Sequence, residues 1–280
     1  MSHDVRGYYE GNTRAFLRPH RGSASTGAIH RALWAPGVDS RDEAMHYIHE
    51  LMLERLRQAD VQVAADLGCG VGASLRYISR RHPGVYRGIT ISDVQAKLAR
   101  QTLPEDCPVL VGDLTDPPAL DRLLQDVPTR TFDAAWMIES FNHIQESQRF
   151  LEAISVRLAP GGILMICDDF LGRQPEGRRE RVLLNEFRRG WHMHTLLSSR
   201  ELSERTARIG LNLQQDQSLD LSGYIRRHGV TPAAVRVTAG IGRLLNRTTP
   251  WWDNIRGGDA LTRLGGSGVI RYQLLVFRRD

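Results

Sequence analysis

Three short stretches of the 280-residue sequence bring together side chains able to do chemistry. In AADLGCGVG an acid, Asp66, is followed closely by Gly68, Gly70 and Gly72. Glycines at a strand-to-helix turn tolerate a tight backbone and let a ligand approach the main chain. The acid precedes the glycines and the third glycine comes early, so the turn is not the GxGxxG dinucleotide fingerprint. In FDAAWMIESFNHI, Glu139, Ser140, Asn142 and His143 follow an apolar strand. Ligands of open α/β sheets bind at that end of the strands, where Glu139 and His143 are candidate general bases and a carboxylate could also stabilise a developing positive charge. The third stretch, VGDLTD, sets Asp113 and Leu114 at the end of a further strand.

The elements that must position these groups alternate from Val61 onwards. VQVAADLG, VYRGITIS, PVLVGDL, FDAAWMIES and GGILMICDDF read as strands separated by helical segments. Repeated βα units predict an α/β fold with a doubly wound, mostly parallel sheet. Before this core, RDEAMHYIHELMLERLRQA places Ala44, Tyr47, Ile48, Leu51, Met52 and Leu56 at helical spacing. The expected organisation is an N-terminal helical lid over residues 1–60, a cofactor-binding core over 61–170, a helical cap over 171–264 with a core strand near 211–220, and a terminal strand over 265–280. Within the cap, Ser198 or Ser199 with Glu201 reads as a helix start.

DLGCGVG resembles the first motif of the class I, Rossmann-like S-adenosylmethionine-dependent methyltransferases. GITISDVQ is similar to the second-strand segment of a small-molecule C-methyltransferase subgroup that contains the geranyl diphosphate and sterol C-methyltransferases and the cyclopropane synthases. The resemblance covers about residues 61–170. It implies S-adenosylmethionine as cofactor, with Asp66, Gly68, Gly70 and Gly72 holding it, Thr90, Ser92 and Gln95 contacting the ribose and nearby backbone, Asp113 accepting the adenine amino group and Leu114 packing on the ring. It further implies C-methylation of a prenyl (diphosphate) or similar apolar acceptor through a carbocation, which Glu139 could stabilise and then deprotonate. A diphosphate acceptor would bring Mg2+ with it. Oxygen or nitrogen methylation of a natural product, with Glu139 or His143 as base, is the alternative.

The acceptor side is sought in the covering segments, where Tyr9, Arg14, His30, Arg31, Trp34 and Trp191 supply aromatic faces and charge. The basic excess, 37 against 32 residues, is mostly arginine and suits an anionic partner. No RNA-binding motif or dense basic tract accompanies it, so a nucleic-acid partner is not expected. The three cysteines, Cys69, Cys107 and Cys167, lack metal-site spacing. There is no apolar run of membrane-spanning length and no secretory leader, so the expectation is a cytoplasmic protein without a membrane partner. The expected partner is a small-molecule substrate, with homo-oligomerisation left open.

Overall fold

The computed structural model describes residues 27–225, 232–244 and 250–280, with Arg6, Gly7, Glu10 and Thr13 ahead of them. Tyr9 and Arg14 lie outside the described residues. Helix α1 (Arg41–Gln58) opens on a capping box in which Ser40 and Glu43 satisfy each other's amide groups. The core then runs β1 (Val63–Leu67), α2 (Ala73–Ser79), β2 (Val85–Thr90), α3 (Asp93–Arg100), β3 (Val109–Val111), α4 (Pro117–Leu123), β4 (Phe132–Ile138), α5 (Ser147–Ser155) and β5 (Leu158–Leu171). After it come α6 (Gly177–Gly190), α7 (Ser199–Ala207), β6 (Leu211–Leu213), β7 (Leu219–Asp220), α8 (Pro232–Leu244), α9 (Pro250–Gly266) and β8 (Ile270–Arg279).

The strand order is β3-β2-β1-β4-β5-β8-β6, with β7 also pairing β8. Strands β1 to β5 pair in parallel, and β8 runs antiparallel to β5. Side chains alternate between the faces, as a period of two requires. Ala65, Leu67, Ala135, Met137, Leu164 and Ile166 join a core with α4, α5 and α7, whereas Ala64, Ala134, Trp136, Ile163, Met165 and Cys167 join the core of α1, α2 and α3. Burial on both faces explains why the strand sequences read as continuous apolar runs. The order reverses between β1 and β4, the kind of switch point at which open α/β sheets bind ligands beyond the strands' C-terminal ends.

Residues 171–264 divide between two structures. Leu202 of α7 and Leu211 of β6 belong to the main core, and Ser198 caps α7 with Glu201 in a capping box. Helices α6 and α9 instead form a separate apolar cluster through Leu183, Phe187, Ala260 and Leu264. Their contact depends on Gly190, where an added Cβ would lie 2.4 Å from Asp253 O and 2.8 Å from Gly257 Cα. Both obstacles are backbone. Gly190→Ala is therefore expected to loosen the α6–α9 pair, costing about 1–3 kcal/mol as overpacking does. A thermal melt and limited proteolysis of the cap check it, and unchanged behaviour in both would show that the helices can separate at no cost. Among the described residues, no helix is long and apolar enough to cross a membrane.

Candidate active site

The glycine turn leaves β1 with its first two amides already committed. Gly68 N–H and Cys69 N–H both donate to Ile89 O at 2.9 Å, which ties the turn to β2. Gly68, Gly70 and Gly72 all have positive φ, at +88°, +55° and +76°. They serve different ends. A Cβ on Gly68 would meet Ser140 Cβ at 2.5 Å, and one on Gly72 would meet Leu103 Cδ1 at 2.9 Å. Among the described residues, a Cβ on Gly70 would find only Gln95 Oε1, at 3.9 Å. Packing thus requires the first and third glycines, whereas the described residues leave space at the middle one. Ser140 closes the junction by donating its hydroxyl to Leu67 O at 2.8 Å.

Asp66 is buried and accepts a hydrogen bond from Ser74, whose hydroxyl in turn receives Trp136 Nε1–H at 3.4 Å. Burial pushes its carboxyl from 3.8 up to about 7. Burial and the neighbouring Asp169 do the same to Asp168, also to about 7. Both bind a proton more tightly folded than unfolded. Their contribution is fully present below about pH 4 and is lost as pH rises through about 7. Denaturation at pH 5 and pH 8 is expected to show a stability loss of about 1–3 kcal/mol from Asp66 alone. Asp66→Asn should flatten that slope. A variant with the wild-type slope would assign the pH dependence elsewhere.

Three further residues named for the cofactor are bonded to one another. Thr90 Oγ1–H donates to Gln95 Oε1 at 3.0 Å, and Ser92 caps α3 by accepting Gln95 N–H at 3.3 Å. All three are buried. Asp113 Oδ1 accepts both the amide and the hydroxyl of Thr115, at 2.9 and 2.7 Å, holding the turn after β3. Leu114 packs half-buried against the main core.

Beyond β4 and β5 lies a dense ionic group. Glu139 has φ +50°, a left-handed conformation uncommon for a residue with a Cβ, and its amide donates to Cys167 O at 2.8 Å. Glu139 Oε1 accepts Arg31 N–H and the Tyr272 hydroxyl, each at 2.9 Å, with Arg31 Nε at 3.7 Å. The Arg31 guanidinium grips Asp169 with two hydrogen bonds, at 2.7 and 2.5 Å, and lies 4.7 Å over the Tyr272 ring. Burial would lower the Arg31 pKa, but Asp169 and Glu139 more than offset it and hold the group charged. Asp168 accepts the Asn142 amide at 3.1 Å, the Asn142 side chain at 2.7 Å and Asp169 N–H at 2.8 Å.

The Arg31 fork is held within the chain by Asp169, with Glu139 close by. The structure brings His30, Arg31 and Glu139 together. His143 sits apart on the turn after β4, its Nδ1 3.3 Å from His192 O, and burial holds it down to about 4, hence neutral near pH 7. Trp34 packs in a cluster with Val38, Tyr47 and Tyr224, and its amide donates to Tyr224 O at 2.7 Å. Trp191 belongs to the α6–α9 cluster, where its buried Nε1–H meets no protein acceptor. Sequence reasoning missed Asp168, Asp169, Tyr272 and His49. The paired acids closing the apolar run ILMICDDF were a readable signal for the first two. Tyr272 reaches the site only through the antiparallel pairing of β8, which carries no local signature. Among the described residues, no three His, Cys, Asp or Glu side chains are grouped to hold a metal ion.

Residues 65–166 match the family described as a methyltransferase domain. The chain is 33% identical over 106 residues to the probable chloroplastic tocopherol O-methyltransferase of Oryza sativa subsp. japonica, covering 36% of this chain and 27% of that protein. It is 28% identical over 204 residues to an O-methyltransferase of Pyrenophora dematioidea, covering 71% and 73% of the two chains. In fold it is similar to the geranyl diphosphate C-methyltransferase of Streptomyces coelicolor A3(2), with a TM-score of 0.65, 17% identity, and 99% and 97% of the chains covered. The matched segment thus spans about a quarter of the rice relative's length. The core of this chain is thus similar to a methyltransferase domain over residues 65–166, and its mostly parallel sheet with flanking helices has the Rossmann-like fold of such domains.

Proposed function

We propose that this protein methylates a small, largely apolar acceptor at carbon, and that the acceptor is prenyl-like. The observation that carries the reading is the ionic group beyond β4 and β5, in which Glu139 and Asp169 face one guanidinium, that of Arg31. Negative charge is in excess there, and Asp168 adds to it above about pH 7. An alkene that receives a methyl group becomes a cation, and such surroundings favour that change over the neutral starting state. Glu139 then accepts the proton that the cation loses.

The cofactor side fits the same reading. The open approach at Gly70 and the carboxyl groups of Asp66 and Asp113 at the ends of β1 and β3 suit a ligand bearing amino and hydroxyl groups. S-adenosylmethionine, when bound, supplies an electrophilic methyl group. Gly68, Gly70 and Gly72 shape the turn against it, Asp113 accepts from its adenine, and Thr90, Ser92 and Gln95 hold the adjoining backbone.

With Arg31 held by Asp169, a diphosphate head group loses its first-choice ligand, and the acceptor's polar end is neutral. Oxygen methylation is the second reading. It is supported by the neutral His143, whose Nδ1 is directed at His192 O, and by the O-methyltransferases among the relatives. Purified protein with S-adenosylmethionine and a panel of prenylated alkenes, prenyl diphosphates with Mg2+, aromatic alcohols and amines separates the readings. Methylated carbon in an apolar alkene is expected. Turnover confined to alcohols or amines would end the carbon assignment, and Mg2+-dependent turnover of a diphosphate would restore the anionic head group.

A further inference from the structure

The stretch carrying Arg31 is joined to α1 by a row of three imidazoles. His30 Nδ1 lies 3.0 Å from Arg31 O, His30 Nε2 lies 2.9 Å from His49 Nε2, and His49 Nδ1 lies 3.0 Å from His46 Nδ1. His49 is fully buried, and the two outer rings are half-buried. A carbonyl oxygen only accepts, so His30 must carry its hydrogen on Nδ1. The other nitrogen of a neutral imidazole is then an acceptor, and the 2.9 Å contact requires the hydrogen on His49 Nε2. His49 Nδ1 in turn accepts the hydrogen on His46 Nδ1. One backbone carbonyl therefore fixes three tautomers, and His46 Nε2 is the one ring nitrogen of the row left to take a proton.

We propose that His46, His49 and His30 form a one-proton relay from the outer face of α1 to the acceptor side of the site, with His46 and His49 acting as positioning residues that set the tautomer and charge of His30. A proton binds His46 Nε2. The His46 Nδ1–H bond then breaks as that proton forms a bond to His49 Nδ1, and the His49 Nε2–H bond breaks as its proton passes to His30 Nε2. Each contact keeps one donor and one acceptor throughout, and the charge ends on His30. A second proton would leave two donors facing each other, so the row takes one.

The surroundings bias the transfer inwards. At the outer end, the Tyr77 ring stacks on His46 at 4.1 Å and its hydroxyl is held by Glu50; Arg81 and Arg76 oppose a charge on His46, and Asp42 favours one. Arg76, Arg81 and both neighbouring rings oppose a charge on the middle residue, His49. At the inner end, Glu139 and the Arg31 carbonyl favour a charge on His30. Burial, the largest influence on all three, keeps the row neutral near pH 7, and it fills as pH falls.

Long-range 15N–1H NMR of the full chain with labelled histidines tests this without any acceptor, so its outcome is separable from that of the methylation reading. The expected tautomers at pH 7.5 are Nδ1–H for His30, Nε2–H for His49 and Nδ1–H for His46, and on acidification all three rings should respond with one shared midpoint. In His46→Gln, which keeps a donor towards His49, the two remaining tautomers should persist and the shared midpoint should move to lower pH by about one unit or more. A different tautomer at any ring, three separate midpoints in the wild type, or an unmoved midpoint in His46→Gln would overturn the relay.

Discussion

Gly70→Val is expected to abolish S-adenosylmethionine binding while the protein stays folded. At φ +55° the residue sits in the left-handed region, where a Cβ costs about 1–2 kcal/mol and a branched one somewhat more. For a chain of this size that is a fall in Tm of roughly 2–8 °C. Among the described residues, the nearest atom to an added Cβ is Gln95 Oε1 at 3.9 Å, so packing leaves room for the new side chain. The valine methyl groups then occupy the space through which a ligand approaches the turn. A loss of affinity of roughly 100-fold or more is expected, equal to about 2.7 kcal/mol, read by calorimetry with S-adenosylmethionine and S-adenosylhomocysteine. Gly68→Ala is the control, because its Cβ would strike Ser140 Cβ at 2.5 Å and disturb the β1–β4 junction itself. It should lose stability and binding together. Unchanged affinity in Gly70→Val would remove the turn from the cofactor site.

The two positions show what a sequence can carry. Three glycines after an acid announce a turn that needs left-handed backbone, and the alternating apolar strands around them announce the sheet, because both are local properties of the chain. The division of labour among those glycines is not local. It depends on Ser140, 72 positions after Gly68, and on Leu103 and Gln95 of the next βα unit. The same limit applies to Arg31. Its charge was legible, and so was its place in a covering segment, but not that Asp169 and Glu139 neutralise it across the end of the sheet. Long-range ion pairs leave no periodicity. The relay histidines show an intermediate case: His46 and His49 are three apart on one helix and so share a face, but only the fold brings His30 to them.

Glu139→Gln is expected to keep cofactor affinity within a few fold and to lower turnover by about 100-fold or more, the usual worth of a positioned base. Glutamine preserves the shape and an oxygen for Arg31 N–H and the Tyr272 hydroxyl, which now reach Glu139 Oε1 at 2.9 Å each. What it removes is the negative charge and the oxygen basic enough to take a proton. Asp169 still holds the Arg31 guanidinium in the variant, so the covering segment should stay in place and the loss should fall on kcat more than on KM. The product carries further information. A carbocation deprived of its nearest base loses a proton to whatever else is in reach, so the variant is expected to yield an isomeric alkene alongside the normal product. Single-turnover kinetics and product analysis by mass spectrometry and NMR read both effects. Normal turnover with an unchanged product would show that Glu139 serves only to anchor Arg31 and Tyr272, and oxygen or nitrogen methylation with the neutral His143 as base would then become the leading account.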